Sequence, residues 1–229
     1  MKVDREQAER LHRFAHDLRN RLIGLHQVVE RSRDDLSKEE REEFIHFGEQ
    51  QYFKALREVE SVMDDLGVER GVPVLAPEPI ILSDLLSTRI ANLQYRFDRK
   101  DQRVKVDMDP SIRVIGDPRV IGDLLDALLS NASKFSYSGD PIDIRVEQDG
   151  QMAVITVSDT GTGLSPADLE QVFVRFAWLG NRPTAGEAQG RSTLARAREW
   201  ALAHGGSLNA TSEGEGHGCT FTLRLPLAD

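Results

Sequence analysis

The sequence holds a single cysteine, Cys219, among 229 residues. One thiol cannot close an internal disulfide or build a cysteine metal cluster. There is no apolar run approaching the roughly 18–20 residues that cross a bilayer. The first ten residues, M-K-V-D-R-E-Q-A-E-R, are charged where a secretory leader needs an apolar stretch. Cations are in the minority: 29 Lys and Arg stand against 38 Asp and Glu, a net charge of −9. That balance argues against a general affinity for nucleic acid and fits a solvated acidic surface. A cytoplasmic protein with no membrane and no nucleic-acid partner is expected. Proline is absent before residue 67, and glycine there is confined to Gly24 and Gly48. Long uninterrupted helices are therefore the expectation for the first third of the chain.

What fills that third is a heptad pattern. Ala8, Leu11, Ala15, Leu18, Leu22, Leu25 and Val29 recur at alternating steps of three and four, and Ile45, Gly48, Tyr52, Ala55, Val59, Val62 and Leu66 form a second seam. Between them Ser37 is an N-cap candidate with Glu40 three residues on, the signature of a capping box. The pattern predicts a helical hairpin, about 3–33 and 38–66, each helix roughly 45 Å long. Two such helices bury little, so the hairpin is expected to pair with a second copy as a four-helix bundle, a homodimer.

Composition changes after Gly67. G-V-E-R-G-V-P-V-L-A-P-E-P reads as a linker. This sets domain limits at 1–70 and 71–229. Beyond it, strands are expected at 79–82, 104–108, 113–116, 142–148, 152–159, 207–213 and 219–226. Helices are expected from Ser83 to about 97, from Pro118 to about Phe135, from Pro166 to Phe176, and from Arg191 to His204. Strands and helices interleave while several strands form hairpins, which predicts an α+β sandwich with helices on one face of a mixed sheet.

Three stretches can carry chemistry. In H-D-L-R-N, His16 stands beside Asp17 and shares a helix face with Asn20, four residues on. A carboxylate next to an imidazole can fix its tautomer, although a histidine on a charged helix is ordinarily just solvated. In L-L-S-N-A-S-K-F-S, Asn131 and Lys134 lie three apart late in a helix, where an amide oxygen can ligate Mg²⁺ and an ammonium can meet phosphate. In D-T-G-T-G-L, Asp159 ends a strand and is followed by Gly161 and Gly163. The carboxylate can accept from an exocyclic amine, and the glycines let the backbone approach a ligand. Each stretch alone is a common surface or turn pattern.

Their order is informative. A hairpin bearing H-D-x-x-N is followed by N-A-x-K-F, D-T-G-T-G, V-F-V-R-F and H-G-G. Over nearly its whole length the chain resembles the transmitter core of bacterial two-component sensor histidine kinases. The resemblance implies a dimerisation and histidine-phosphotransfer hairpin followed by a catalytic domain of the Bergerat, or GHKL, ATPase fold. It implies His16 as phospho-acceptor, Asp17 as general base and Asn20 as the residue that helps orient water when the partner regulator is dephosphorylated. Asn131 would bind Mg²⁺, Lys134 would stand near the phosphates and Phe135 near the adenine. Asp159 would read the adenine amino group above a loop containing Gly161 and Gly163. Phe173 and Phe176 would anchor the ATP lid. ATP and Mg²⁺ are the implied cofactors, and the receiver domain of a response regulator is the implied partner. A sensor protein acting in trans is expected if the chain is complete, and a sensor segment left off if it is an excised core.

The sequence departs from that family's pattern at three places. Arg21 stands where the family often has proline after the histidine, so a straighter helix is expected. Ala127 stands where a second asparagine is common. The G-x-G-L-G-L segment is missing, and A-G-E-A-Q-G-R-S-T precedes Leu194 and Ala195, with Gly186 and Gly190 only. Ser192 and Thr193 could cap the helix that follows, and a helix N-terminus can bind anions. Three readings stay open: a kinase that autophosphorylates His16 from Mg-ATP, an ATP-independent histidine phosphotransferase or regulator phosphatase on the same fold, and a non-enzymatic dimeric scaffold.

Overall fold

The structure is a computed structural model. It describes residues 5–31, 37, 40–41, 43–45, 47–48, 51–52, 54–55, 59, 74–175, 177, 179–181, 183–184 and 192–228. The chain divides into two compact units, Met1–Arg70 and Gly71–Asp229. No helix among the described residues is long and apolar enough to cross a membrane.

In the first unit, α1 (Arg5–Arg31) is one continuous helix. It runs through Arg21 without a break, because a residue with an N–H and no pyrrolidine ring keeps the ladder intact. The described residues between 40 and 59 are helical and form α2. Its start is the expected capping box: Ser37 N–H donates to Glu40 Oε2 (3.0 Å) and Glu40 N–H to Ser37 Oγ (3.2 Å). The two helices pack antiparallel. Arg31 lies over the Phe44 ring, Gly48 packs against Val28, and Arg21 donates to Gln51 Oε1 at 3.2 Å.

The heptad seam is divided between two surfaces. Gly48 and Ala55 are buried, and Leu18 and Leu25 are half-buried, whereas Leu22, Val29, Ile45 and Tyr52 are exposed. The side chains of Ala8, Leu11, Val62 and Leu66 lie outside the described residues.

The second unit contains β1 (Glu78–Ile81), α3 (Leu82–Arg99), β2 (Arg103–Met108), β3 (Arg113–Gly116), α4 (Pro118–Phe135), β4 (Pro141–Asp149), β5 (Met152–Asp159), α5 (Pro166–Gln171), α6 (Thr193–Ala203), β6 (Ser207–Thr211) and β7 (Thr220–Pro226). The main sheet has the order β2-β4-β5-β7-β6. The β2–β4 pair is parallel and the rest antiparallel, a mixed sheet as the interleaving predicts. β1 and β3 form a separate antiparallel ribbon.

α4 is the central helix. Asp117 caps it by accepting from the N–H groups of Arg119 and Val120, and Pro118 fills the first helical position, where a missing N–H is harmless. Its buried side includes Val120, Ile121, Leu124, Leu125, Leu128 and Leu129. β5 lies mid-sheet and buries Ala153, Val154, Ile155 and Val157.

Three local expectations are corrected. Ser83 is not the cap of α3: the N-cap is Ile81, and the Ser83 hydroxyl donates to Pro110 O instead. α5 stops at Gln171, short of Phe176, with a run of turns to Arg175. Ser192 is the N-cap residue of α6, but its hydroxyl makes no capping bond.

Candidate functional site

A partly open cavity lies beside the C-terminal half of α4. Ala127, Ser130, Asn131, Lys134 and Phe135 form one wall. Ala177, Leu179 and Asn181 form another, and Cys219 with Phe221 of β7 closes a third side. Helical spacing puts Ala127, Asn131 and Lys134 on one face of α4. So the N-A-S-K-F stretch delivers an amide and an ammonium to the same space, with alanine one turn earlier.

At the end of β5 the chain leaves the sheet through D-T-G-T-G. Asp159 is buried. Its Oδ1 accepts from the N–H groups of Gly161 (3.0 Å) and Cys219 (3.2 Å), the second of which lines the cavity. Its Oδ2 is buried with no hydrogen-bond partner, and so is the hydroxyl of Thr162. A buried carboxylate oxygen without a donor is costly. Burial accordingly raises the Asp159 carboxyl to about 6, against the two amide bonds that lower it. A ligand that brought a donor to Oδ2 would remove that cost.

The glycines of the loop have different reasons. A β-carbon at Gly161 would sit 2.1 Å from Phe135 O, so the loop rides directly on the end of α4, where Thr162 N–H also donates to Phe135 O. Gly163 has φ +67° and faces Gly214 O, a conformation and a gap that side chains do not fit. Gly161→Ala is expected to lower stability by about 2 kcal/mol or more through overpacking. In thermal unfolding that is a fall in melting temperature of roughly 4–8 °C.

Three further expected site residues, His16, Asp17 and Asn20, lie in the first unit. His16 is exposed on α1, and its Nδ1 is 3.1 Å from Asp17 Oδ1. A carboxylate only accepts, so this bond places the hydrogen on Nδ1 and leaves the lone pair on Nε2. The Asn20 amide, 3.4 Å from the same Nδ1, lies at the edge of hydrogen-bond reach and cannot donate to a nitrogen that carries its own hydrogen. Phe173 is partly buried and packs edge-on against Phe221 at 6.4 Å. Phe176, Gly186 and Gly190 lie outside the described residues.

Several site residues escaped sequence reasoning. Asn181 lines the cavity and donates to Gly163 O. Asp168, buried on α5, accepts from Gly180 N–H and so holds the start of that wall. The S-E-G-E-G-H-G stretch folds back on the D-T-G-T-G loop: Gly216 N–H donates to Thr162 O and Gly218 N–H to Gly161 O. Its every-other-residue glycines were the one signal in the sequence that could have marked it.

The family model of histidine kinase-, DNA gyrase B-, and HSP90-like ATPases matches residues 116–229. The chain is 34% identical over 146 residues to the sensor-like histidine kinase SenX3 of Mycobacterium tuberculosis, covering 62% of this chain and 34% of SenX3. It is 29% identical over 192 residues to the circadian input-output histidine kinase CikA of Synechococcus elongatus, covering 78% of this chain and 25% of CikA. The solved structure of the mycobacterial sensor histidine kinase MprB superposes with a TM-score of 0.60 at 25% identity, over 66% of this chain and 98% of that one. The chain thus spans about a quarter to a third of the length of these curated relatives.

Proposed function

We propose, on the premise that residues 116–229 belong to the histidine kinase-, DNA gyrase B-, and HSP90-like ATPases, that this chain is the transmitter core of a two-component histidine kinase. Residues 1–70 serve as the dimerisation and histidine-phosphotransfer unit and residues 71–229 as the ATP-binding unit. The observation that carries the nucleotide reading is Asp159: one carboxylate oxygen is held by two backbone amides, one of them from Cys219, which lines the cavity walled by Asn131 and Lys134, and the other oxygen is buried and partnerless.

The chemistry follows from residue types. Asp159 Oδ2 accepts from the exocyclic amine of adenine. The Asn131 amide oxygen would hold Mg²⁺, which would neutralise phosphate charge, and the Lys134 ammonium would meet the phosphates. Phe135 lines the apolar part of the cavity. Mg-ATP supplies the γ-phosphoryl group with part of its charge neutralised. Nε2 of His16, the nitrogen left with its lone pair, attacks the γ-phosphorus. An N–P bond forms as the bridging P–O bond breaks, and ADP leaves with the electron pair. The positive charge that develops on the ring is offset by Asp17, which accepts from Nδ1–H. The phosphoryl group then passes to an aspartate on the receiver domain of a response regulator.

Purified protein incubated with γ-labelled ATP and Mg²⁺ tests this reading. Acid-labile, alkali-stable label supports it. Absence of label, with phosphoryl uptake from a phosphorylated regulator, would replace it with the ATP-independent phosphotransferase.

The exposed half of the heptad seam supports the dimer. Leu22, 54% exposed, and Tyr52, 50% exposed, form with Val29 and Ile45 an apolar stripe across both helices of the hairpin. A second copy would cover it as a four-helix bundle. Leu22→Asp is expected to weaken that dimer by about 100-fold, because two-fold symmetry places the buried charge in the interface twice. Sedimentation should show the mass halved at micromolar concentration, and an unchanged dimer would count against the bundle.

A further inference from the structure

The turn between α3 and β2 contains a charge the proposed chemistry does not use. Lys100 is buried. Its ammonium donates to Ser133 O at 2.8 Å and to the Thr184 hydroxyl at 2.8 Å, and it reaches Lys134 O and Ser136 O at 3.2 Å each. An ammonium has only donors, so all four of these contacts are bonds it donates or shares. Gln102, also buried, adds an amide bond to Ser133 O and another to Tyr137 O.

Capping the last turn of a helix explains the carbonyl contacts, since a cation there meets orphan C=O groups and the negative end of the helix dipole. It does not explain Thr184. That residue is 84 positions along the chain, in the segment that lines the cavity through Ala177, Leu179 and Asn181. Thr184 is itself fixed to the same helix end: its N–H donates to Lys134 O at 3.0 Å and its hydroxyl donates to Ser136 O.

We propose that Lys100 is a positioning residue for the cavity: its buried ammonium ties the C-terminal turn of α4, which carries Asn131 and Lys134, to Thr184, so that two walls of the cavity keep one spacing. The earlier part of the same wall has independent tethers, Gly180 to Asp168 and Asn181 to Gly163. Breaking the Lys100 bond therefore loosens the Thr184 end, which keeps only its own bonds to Lys134 O and Ser136 O among those described, and leaves the earlier tethers intact. The nucleotide arm of the test rests on the function proposed above; the exchange arm does not.

Amide hydrogen exchange at Thr184 is measured first, on the full chain without nucleotide. In Lys100→Met, which keeps the length of the side chain and removes the ammonium, exchange at Thr184 should quicken by roughly tenfold or more while amides of β5 stay protected. Thr184→Val should do the same, and Thr184→Ser, which keeps the hydroxyl, should behave as the parent chain. If Lys100→Met fails to fold, Lys100→Gln, which removes the charge and shortens the side chain by one atom, takes its place, because Thr184→Val also removes the hydroxyl's own bond to Ser136 O. ADP affinity is measured second. It should weaken about tenfold in Lys100→Met and Thr184→Val and be retained in Thr184→Ser. Unchanged exchange at Thr184 in folded Lys100→Met, or in Thr184→Val, would overturn the proposal and leave Lys100 a helix cap. Failure of the parent chain to bind ADP would sink the nucleotide reading, while the exchange result would still decide whether Lys100 holds the wall.

Discussion

His16→Gln is expected to take up no label from γ-labelled ATP, a loss of at least about 1000-fold in rate, while binding nucleotide and dimerising as the parent chain does. The size of the loss follows from what is removed: an amide nitrogen has no available lone pair to form the N–P bond, so no residual nucleophile stands at that position. The selectivity follows from place. The His16 side chain is 65% exposed, and its bond among the described residues runs to Asp17 on its own helix. Exposed substitutions of this kind change stability by roughly 0.5 kcal/mol or less, and glutamine is at least as good a helix former as histidine. Label that persisted in this variant would reject His16 as the acceptor. Asp17→Asn should give an intermediate result, slower labelling with the same acceptor, since the ring keeps its lone pair and loses the charge that offsets the developing imidazolium.

The reasons for reading His16 this way were in the sequence, and so was most of the second unit's architecture. α4 begins at Pro118 and ends at Phe135 as its N1 proline and apolar period predict, and β5 spans 152–159 as predicted. The Ser37–Glu40 box was equally legible, because both halves of it lie within three residues. What failed was of another kind. Ser83 looked like a cap by residue type, but the backbone had already turned helical at Leu82, and the hydroxyl was taken by Pro110 O. The Lys100–Thr184 bond joins residues 84 apart, and no periodicity in either segment encodes it. A heptad can show that Leu18 and Leu22 belong to a seam. It cannot show that the hairpin's own second helix half-buries the first and leaves the second exposed, because that depends on how the helices rotate against each other. Most telling is Asp159. Its position before two glycines was visible, whereas the partnerless oxygen on which the proposed reading of adenine rests is a property of burial, which only the folded chain reveals.

That oxygen yields the second large effect. Asp159→Asn should weaken ADP binding, measured without Mg²⁺, by about 100-fold or more, and should not lower the melting temperature at pH 8. The asparagine amide can point its oxygen at Gly161 and Cys219, as Oδ1 does now, and then its NH₂ meets the adenine amine donor to donor. If it turns the other way, it clashes with the two backbone N–H groups instead. Either arrangement loses a buried polar contact and adds a repulsive one, an effect of about 3 kcal/mol. Without nucleotide the balance is reversed, because an ionised, partly unsatisfied carboxylate is itself a burden on the fold. Its carboxyl is raised from 3.8 to about 6, so the folded state holds a proton that the unfolded chain has released between those values. The Asp159 contribution to stability is therefore greatest below about pH 4, falls as pH rises through about 6 and is flat above, a span of about 3 kcal/mol. Nucleotide affinity runs the opposite way. The protonated carboxyl keeps Oδ1 for the amides and carries its hydrogen on Oδ2, where the adenine amine needs an acceptor. Affinity for ADP should be constant above about pH 6 and drop about tenfold per unit below it, and Asp159→Asn should flatten that dependence. A parent chain whose ADP affinity stayed level from pH 8 to pH 5 would mean that Oδ2 does not read the base. A melting temperature that collapsed in Asp159→Asn would mean that the carboxylate serves the fold and not the ligand.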